Sequence, residues 1–496
     1  MVFSSTLFVF IFLAVTIVLY YLCNLIFGKC SFKIRILNGI LLVASLIFYS
    51  WGEPKNLVLM VGSILFNFIF GLLIAHFTEK KALKKLFLIL SLVFNLGMLF
   101  VFKYFNFVTD TITSIFKLES NIFTDAIGGP IALPIGISFF TFQIMSYVID
   151  VYLDKVGAQK NIFRLGLYIS LFPQLIAGPI VRYIDVDMAL AQRSIDVDKV
   201  YKGITRFVVG LSKKVLIANV MYQVVDSIFS MDTSGVSAAT AWLGAIAYTL
   251  QIYFDFSGYS DMAIGLGHMF GFDFLENFNY PYISGSVKEF WRRWHISLST
   301  WFRDYLYIPL GGNRRGKVRT QINIFIVWLC TGIWHGAAWT FITWGLYYWV
   351  LLTIENLFLG KAFKKFDEIT AKAHVGFLSK IVEHLYTFVA FTIGWVIFNA
   401  RDLPYALSFI GRMFTFSDWG WTRMTSQLTN LTATVFFLGI LFSTPVVPFI
   451  QKQINKAKNG ELITTLVGSV CCLGLLIISI IFLTGSSFNP FIYFRF

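Results

Sequence analysis

Residues 1–22 read MVFSSTLFVFIFLAVTIVLYYL and contain no charged side chain. A helix rises 1.5 Å per residue, so about 20 apolar residues cross the hydrocarbon core of a bilayer. The stretch lacks the basic leading segment and small-residue cleavage site of a secretory leader, which makes it a retained helix. Working outward, comparable apolar runs occupy 36–50, 55–76, 85–105, 131–150, 204–228, 238–254, 321–337, 339–359, 376–399, 432–450 and 461–484. They predict an all-α polytopic membrane protein with about eleven or twelve transmembrane helices. Composition gives the same answer. Of 496 residues, 57% are hydrophobic and 13% charged, and the mean hydropathy is +0.73. The charged share is about half the roughly 25% of soluble domains, too little to cover a water-facing surface. Intrinsic disorder, a disulfide scaffold and a soluble nucleic-acid binder are therefore poor readings. The five cysteines, Cys23, Cys30, Cys330, Cys471 and Cys472, form no CxxC pair and lie mostly in apolar runs. That pattern supports neither a disulfide framework nor a thiolate metal site.

Two further stretches, 163–179 and 292–310, are apolar but broken, by Pro173, Gly178 and Pro179 in one and by Arg303, Asp304 and Pro309 in the other. Irregular or charged backbone at membrane depth is tolerated only inside protein or beside a cavity, so both are expected as re-entrant or interfacial helices. The net charge of +14 mainly records orientation. The connections near 29–35, 80–85, 155–164, 182–202, 314–319, 361–372 and 452–458 hold 25 Lys and Arg, whereas the opposite set holds six: Lys55, Lys117, Arg401, Arg412, Arg423 and Arg495. The positive-inside rule puts the richer set in the cytoplasm and both chain ends outside, in a cell or inner membrane. The rest of the charge would meet anionic lipid. No internal repeat or long polar linker divides the chain, which reads as one transmembrane domain over 1–496. The Trp- and Phe-rich external segment TFSDWGWTRM, within about 400–431, is expected at the interface.

Between Gln251 and Trp344 polar groups crowd into apolar sequence: QIYFDFSGYSDMAIG at 251–265, FWRRWHISLSTWFRDYLYIPLGGNR at 290–314 and TGIWHGAAW at 331–339. A charge at the bilayer centre costs about 2.5–3.5 kcal/mol on insertion scales, so such residues serve a site or pair with one another. One reading pairs Arg292, Arg293 and Arg303 with Asp255, Asp261 and Asp304 to hold bent helices together. His295 and His335, each beside a Trp, are either interhelical hydrogen-bonding groups or neutral general bases, since burial disfavours imidazolium. Gly332, Gly336, Ala337 and Ala338 would leave room for a substrate chain beside His335. Neither HExxH, a carboxylate pair nor GxSxG accompanies the histidines, so zinc hydrolysis and a serine nucleophile lack support. No metal site and no permanently bound cofactor is expected. Ser114 to Lys117 is a chance SxxK, and Gly311 to Lys317 matches GxxxxGK but is followed by Val318 where a magnesium-binding Ser or Thr is needed. Acyl transfer from a thioester fits better, because it asks only for deprotonation of a hydroxyl and stabilisation of an oxyanion.

FWRRWHISLSTWFRDYLYIPLGG followed by TGIWHGAAW closely resembles the signature of the membrane-bound O-acyltransferase (MBOAT) family. With the preceding QIYFDFSGYSDMAIGLG the match covers about 90 residues, and the layout of spans fits along the whole chain. The N-terminal run, the length and the ending FNPFIYFRF resemble the branch that O-acetylates alginate, and more distantly the branch that transfers D-alanine. The resemblance implies a ring of tilted helices with a cytoplasmic and an external funnel meeting near His335. It implies that His335 is the catalytic base and that His295 positions donor or acceptor. Asp255, Ser257, Arg292, Trp294, Ser297, Arg303, Asp304 and Trp334 are the further candidates for positioning. The donor would be acetyl-CoA or an acyl-carrier thioester used as substrate, entering from the cytoplasm. Lys288, Arg292, Arg293, Arg314, Arg315, Lys317 and Arg319 could attract its phosphates, or simply record topology.

The last six residues, FIYFRF, resemble the C-terminal motif of a small partner peptide of D-alanylation and lie outside in this topology. The resemblance implies Tyr493 as an acyl relay, an aryl ester being more activated than an alkyl ester. The alternative is an interfacial aromatic anchor. The expected function is outward O-acetylation of an extracytoplasmic polysaccharide, completed by a separate SGNH or esterase-like transferase, with membrane lipid around the chain. D-alanyl transfer and lipid or protein acylation are the alternatives within the class. A polysaccharide or small-molecule transporter is the alternative outside it.

Overall fold

A computed structural model describes residues 1–28 and 30–485. FIYFRF and Tyr493 lie outside the described residues. Every regular element among the described residues is helical. Eight helices are long and apolar enough to cross a membrane: Phe8–Ile26, Lys33–Ser50, Asn56–His76, Lys81–Ile115, Val197–Phe229, Trp339–Lys372, Phe377–Asn399 and Gly460–Gly485. Three more expected crossings are helices of a different character, Ile137–Tyr152, Ala238–Met269 and Lys317–His335. The first is 16 residues long. The second runs for 32 residues and carries Gln251, Asp255, Ser257, Ser260 and Asp261. Its side chains are nearly all buried in protein, so it needs no lipid-compatible surface.

The run expected as one crossing at 432–450 is broken. Helices Asn430–Phe442 and Val446–Ile454 meet at 62°. Pro445 lies at the junction and has no N–H to continue the ladder, and its ring disfavours helical geometry at Thr444. The two proline- and charge-broken stretches are likewise short pieces: Ile162–Ser170 and Phe172–Leu175 in one, Val287–Arg293, Ile296–Phe302 and a π-turn at Arg303–Tyr307 in the other.

The described residues group into two compact units. One comprises 1–207 with 260–275, the other 208–259 with the chain from 276 onward. In the first, helix Asn56–His76 is stapled to the next by amides. Asn67 Nδ2 donates to Asn95 Oδ1 at 3.2 Å, while Asn67 Oδ1 accepts from Ser91 Oγ and Asn95 Nδ2, both at 2.8 Å. Arg193 donates to Asn38 Oδ1 at 2.5 Å and to the Phe270 carbonyl at 3.0 Å. Asp261 pairs with Arg206 at 2.9 Å.

The second unit contains both candidate histidines. Helices Lys317–His335 and Trp339–Ile354 form a hairpin joined by Gly336-Ala337-Ala338. Their backbones nearly touch. A Cβ on Gly345 would lie 2.4 Å from the Trp328 carbonyl oxygen, and one on Gly332 would lie 2.5 Å from that of Phe341. Small residues let membrane helices approach this closely. The small residues therefore do not leave a channel beside His335: a Cβ on Gly336 would meet the Phe341 ring at 2.2 Å. Phe341 fills that space. Asp255 is buried and pairs with Lys214 at 2.8 Å, a lysine outside the 290–303 block. Arg293 reaches Glu289 at 2.9 Å, and Arg303 pairs with its neighbour Asp304 at 2.7 Å.

Candidate active site

His335 is the last residue of its helix, and the chain turns extended at Gly336. Its buried ring is caged by aromatic side chains. Trp344 is 4.9 Å away between ring centroids, Trp334 5.0 Å and Phe398 5.2 Å, each near perpendicular. Beyond Phe398 lies a cavity of about 410 Å³, lined by both Phe341 and Phe398 and bordered by Tyr222, Asp226, Asn399 and Arg401. Tyr222 donates to Asp226 at 2.9 Å, and the Arg401 guanidinium lies over the Tyr405 ring. The cavity wall and the cage around His335 thus share one residue, Phe398.

His295 is placed by an unusual backbone. It joins the two short helices Val287–Arg293 and Ile296–Phe302 with φ +44° and ψ 55°. Left-handed geometry in a residue other than Gly costs on the order of 1–3 kcal/mol and persists only where the surroundings impose it. Here loop 277–279 does so: Ile296 N–H donates to the Asn277 carbonyl at 3.0 Å, and Asn279 N–H to that of Arg293 at 2.9 Å. The Asn277 side chain then fixes the imidazole. Its Oδ1 accepts from the Ser297 backbone N–H at 3.3 Å and from Ser297 Oγ at 2.9 Å. A backbone N–H can only donate, so this atom is the carbonyl oxygen. His295 Nδ1, 3.0 Å from the same oxygen, must therefore be the protonated nitrogen. In the neutral ring Nε2 then carries a lone pair. It is buried and has no hydrogen-bond partner among the described residues.

One residue touches both imidazoles. The Trp334 ring is 6.0 Å from His295 and 5.0 Å from His335. Trp294 is buried against Trp395 at 4.7 Å, and Ser297 joins the Asn277 cluster. Ser257 is buried with its hydroxyl unpartnered among the described residues. Arg292 and Arg303 are exposed, and Asp304, half-buried, pairs with Arg303. Lys288, Arg314, Arg315 and Lys317 are also exposed. Arg319 donates from Nε and Nη2 to the Leu310 carbonyl, at 3.4 and 3.3 Å.

Sequence reasoning passed over Asn277 and Glu355. The buried Glu355 carboxylate accepts from the Val287 and Lys288 N–H groups at 2.7 and 3.1 Å. It thereby caps the helix that leads to His295 and complements its dipole. Asn277 lies 18 residues before the histidine that it orients, in a loop whose sequence, ENFNYPY, has no periodic signal.

Two imidazoles are thus buried among the helices of the second unit, and His295 has a lone pair free to accept a proton or a hydrogen bond. Comparison with known proteins identifies the class of chemistry. The model of the membrane-bound O-acyltransferase family, MBOAT, matches residues 157–398. A probable alginate O-acetylase AlgI of Pseudomonas putida is 41% identical over the full length of both chains. A peptidoglycan O-acetyltransferase of Helicobacter pylori is 32% identical over all of this chain and 98% of its own length. A teichoic acid D-alanyltransferase of Bacillus subtilis is 30% identical over 54% of this chain and 69% of its own. The chain belongs to the membrane-bound O-acyltransferase family, and it is a multi-pass membrane O-acyltransferase.

Proposed function

We propose that this enzyme moves an acetyl group from a cytoplasmic thioester, acetyl-CoA or an acyl carrier, to an extracytoplasmic polysaccharide. The observation that carries the reading is the cavity whose wall residue Phe398 packs edge-on against buried His335. The cavity's rim residues Asp226 and Arg401 adjoin segments that the charge asymmetry assigns to the outside. Full-length similarity to proteins named for alginate and peptidoglycan O-acetylation supports acetyl as the group and a glycan as the final acceptor.

In this mechanism an acceptor hydroxyl reaches His335 and gives its proton to the imidazole. The oxygen attacks the thioester carbonyl, an oxyanion forms and collapses, and the departing thiolate takes the proton back. His295 Nε2 accepts a hydrogen bond from donor or acceptor and so orients it. The exposed Lys288, Arg314, Arg315 and Lys317 draw in the anionic donor on the cytoplasmic side. Tyr493 is the first acceptor. Its aryl ester then passes the acetyl group to a serine of a separate extracytoplasmic esterase-like transferase, in a plasma or inner membrane with both chain ends outside.

The test expresses the full chain in cells lacking their own copy and measures ester-linked acetate and D-alanine released from extracytoplasmic glycan. The native chain restores acetate. His335→Ala reduces it by about 10²-fold or more at equal abundance in the membrane, and Tyr493→Phe also abolishes it. Normal acetylation by His335→Ala overturns the site. D-alanine in place of acetate reassigns the acyl group, and full activity of Tyr493→Phe removes the relay alone.

A further inference from the structure

The reaction above leaves one requirement without a residue. As the hydroxyl oxygen bonds to the thioester carbon, the carbonyl electron pair moves onto oxygen, and that oxyanion needs a fixed donor in a site without bulk water. Backbone N–H groups serve this purpose in many acyl-transfer enzymes. Trp344 offers a side-chain donor. It is fully buried, at 0% exposure, and its indole N–H has no hydrogen-bond partner among the described residues. Buried Trp N–H groups ordinarily find one. The indole nitrogens of Trp291 and Trp349 are also without a partner among the described residues, but of these three rings Trp344 is the one that packs on His335.

The centroid of the Trp344 ring is 4.9 Å from that of His335, at 80°. It is held on its other sides by Phe398 at 5.1 Å, Tyr348 at 5.3 Å, Trp291 at 5.5 Å and Trp328 at 6.0 Å. A bulky ring packed from four sides has no rotamer freedom left to lose when charge develops beside it. That is the preorganisation which makes a donor worth more in a transition state than in a ground state.

We propose that the Trp344 indole N–H is an oxyanion donor of this enzyme, so that Trp344 is a catalytic residue beside His335. The inference rests on His335 being the general base. The N–H donates to the carbonyl oxygen as it becomes negative and keeps its own proton throughout. The proton taken from the acceptor hydroxyl resides on His335 and leaves with the thiol. The net change is thioester plus alcohol to ester plus thiol.

The experiment uses two replacements in the full-length chain: Trp344→Phe, and β-(3-benzothienyl)alanine installed at 344 by nonsense suppression. The second keeps the shape of the bicyclic ring and exchanges N–H for sulfur. Cells receive a pulse of labelled acetate, and the initial rate of glycan ester formation is taken per monodisperse molecule recovered from the membrane. Both variants should lose about 10²-fold or more in rate, the effect of removing one oxyanion donor. If the isosteric variant keeps a third or more of the native rate, whatever Trp344→Phe does, the ring serves packing and the proposal is overturned. His335→Ala in the same assay separates the two ideas. A silent His335→Ala with an active isostere removes only the Trp344 role, whereas an active His335→Ala removes the reading beneath it.

Discussion

Two clusters of buried polar side chains among apolar helices solve the same problem in opposite ways. In the Asn67–Ser91–Asn95 cluster each amide oxygen and nitrogen is matched by another group on the facing helix. In the chain of rings His295–Trp334–His335–Trp344, His295 Nε2 and the Trp344 N–H are buried without a partner among the described residues. Desolvating a polar group without replacing its hydrogen bond costs about 1–3 kcal/mol by protein mutational measures. The first cluster avoids that cost and fastens two helices. The second bears it at both atoms, beside the imidazoles where an incoming thioester and hydroxyl need donors and acceptors. Burial and polarity alone do not separate a staple from a site. Between these two groups, satisfaction of the hydrogen bonds does.

The strongest way to break this contrast within the second cluster is at Asn277. Asn277→Ala removes the oxygen that holds His295 Nδ1–H and should slow acyl transfer between about 10- and 100-fold, less than loss of a general base itself. Asn277→Asp keeps the acceptor and should recover most of the rate. Equal losses in both variants, at equal protein in the membrane, would sink the tautomer argument. A smaller effect, on stability first, is expected at the hairpin. Gly345→Ala puts a methyl 2.4 Å from the Trp328 carbonyl and should cost about 1–3 kcal/mol, as overpacking does. It would be read as a lower thermal midpoint in detergent, and an unchanged midpoint would show that the helices can move apart freely. The smallest effect belongs to the staple. Asn95→Ala strands the Asn67 amide and should destabilise by about 0.6 kcal/mol, the average for hydrogen bonds between membrane helices, and by no more than about 1.7 kcal/mol, the largest such value. The acyl-transfer rate per folded molecule should stay native. A rate loss there would mean that the satisfied cluster also serves catalysis.

Particular residues show how far the sequence could be read. Runs such as 1–22 and 461–484 announce their helices because lipid demands continuous apolar side chains. The same demand made His295 and His335 conspicuous. It also misled at Gly332 and Gly336, whose small size reads equally as empty space or as close packing, and Phe341 decides between them. Charge partners were mismatched for a related reason. Arg292 lies 37 residues from Asp255 and Lys214 lies 41 away, so sequence separation does not choose between them, and Asp255 meets Lys214.

The sequence by itself determined the all-helical membrane architecture and the histidines that stand out within it, because solvation by lipid is a property each segment meets locally. Only the tertiary structure decided which nitrogen of His295 carries the proton, which carboxylate caps its helix, and which indole besides its neighbour Trp334 packs on His335. Those follow from Asn277, Glu355 and Trp344, and a hydrogen bond or ring contact between residues far apart in the chain has no periodic trace in sequence.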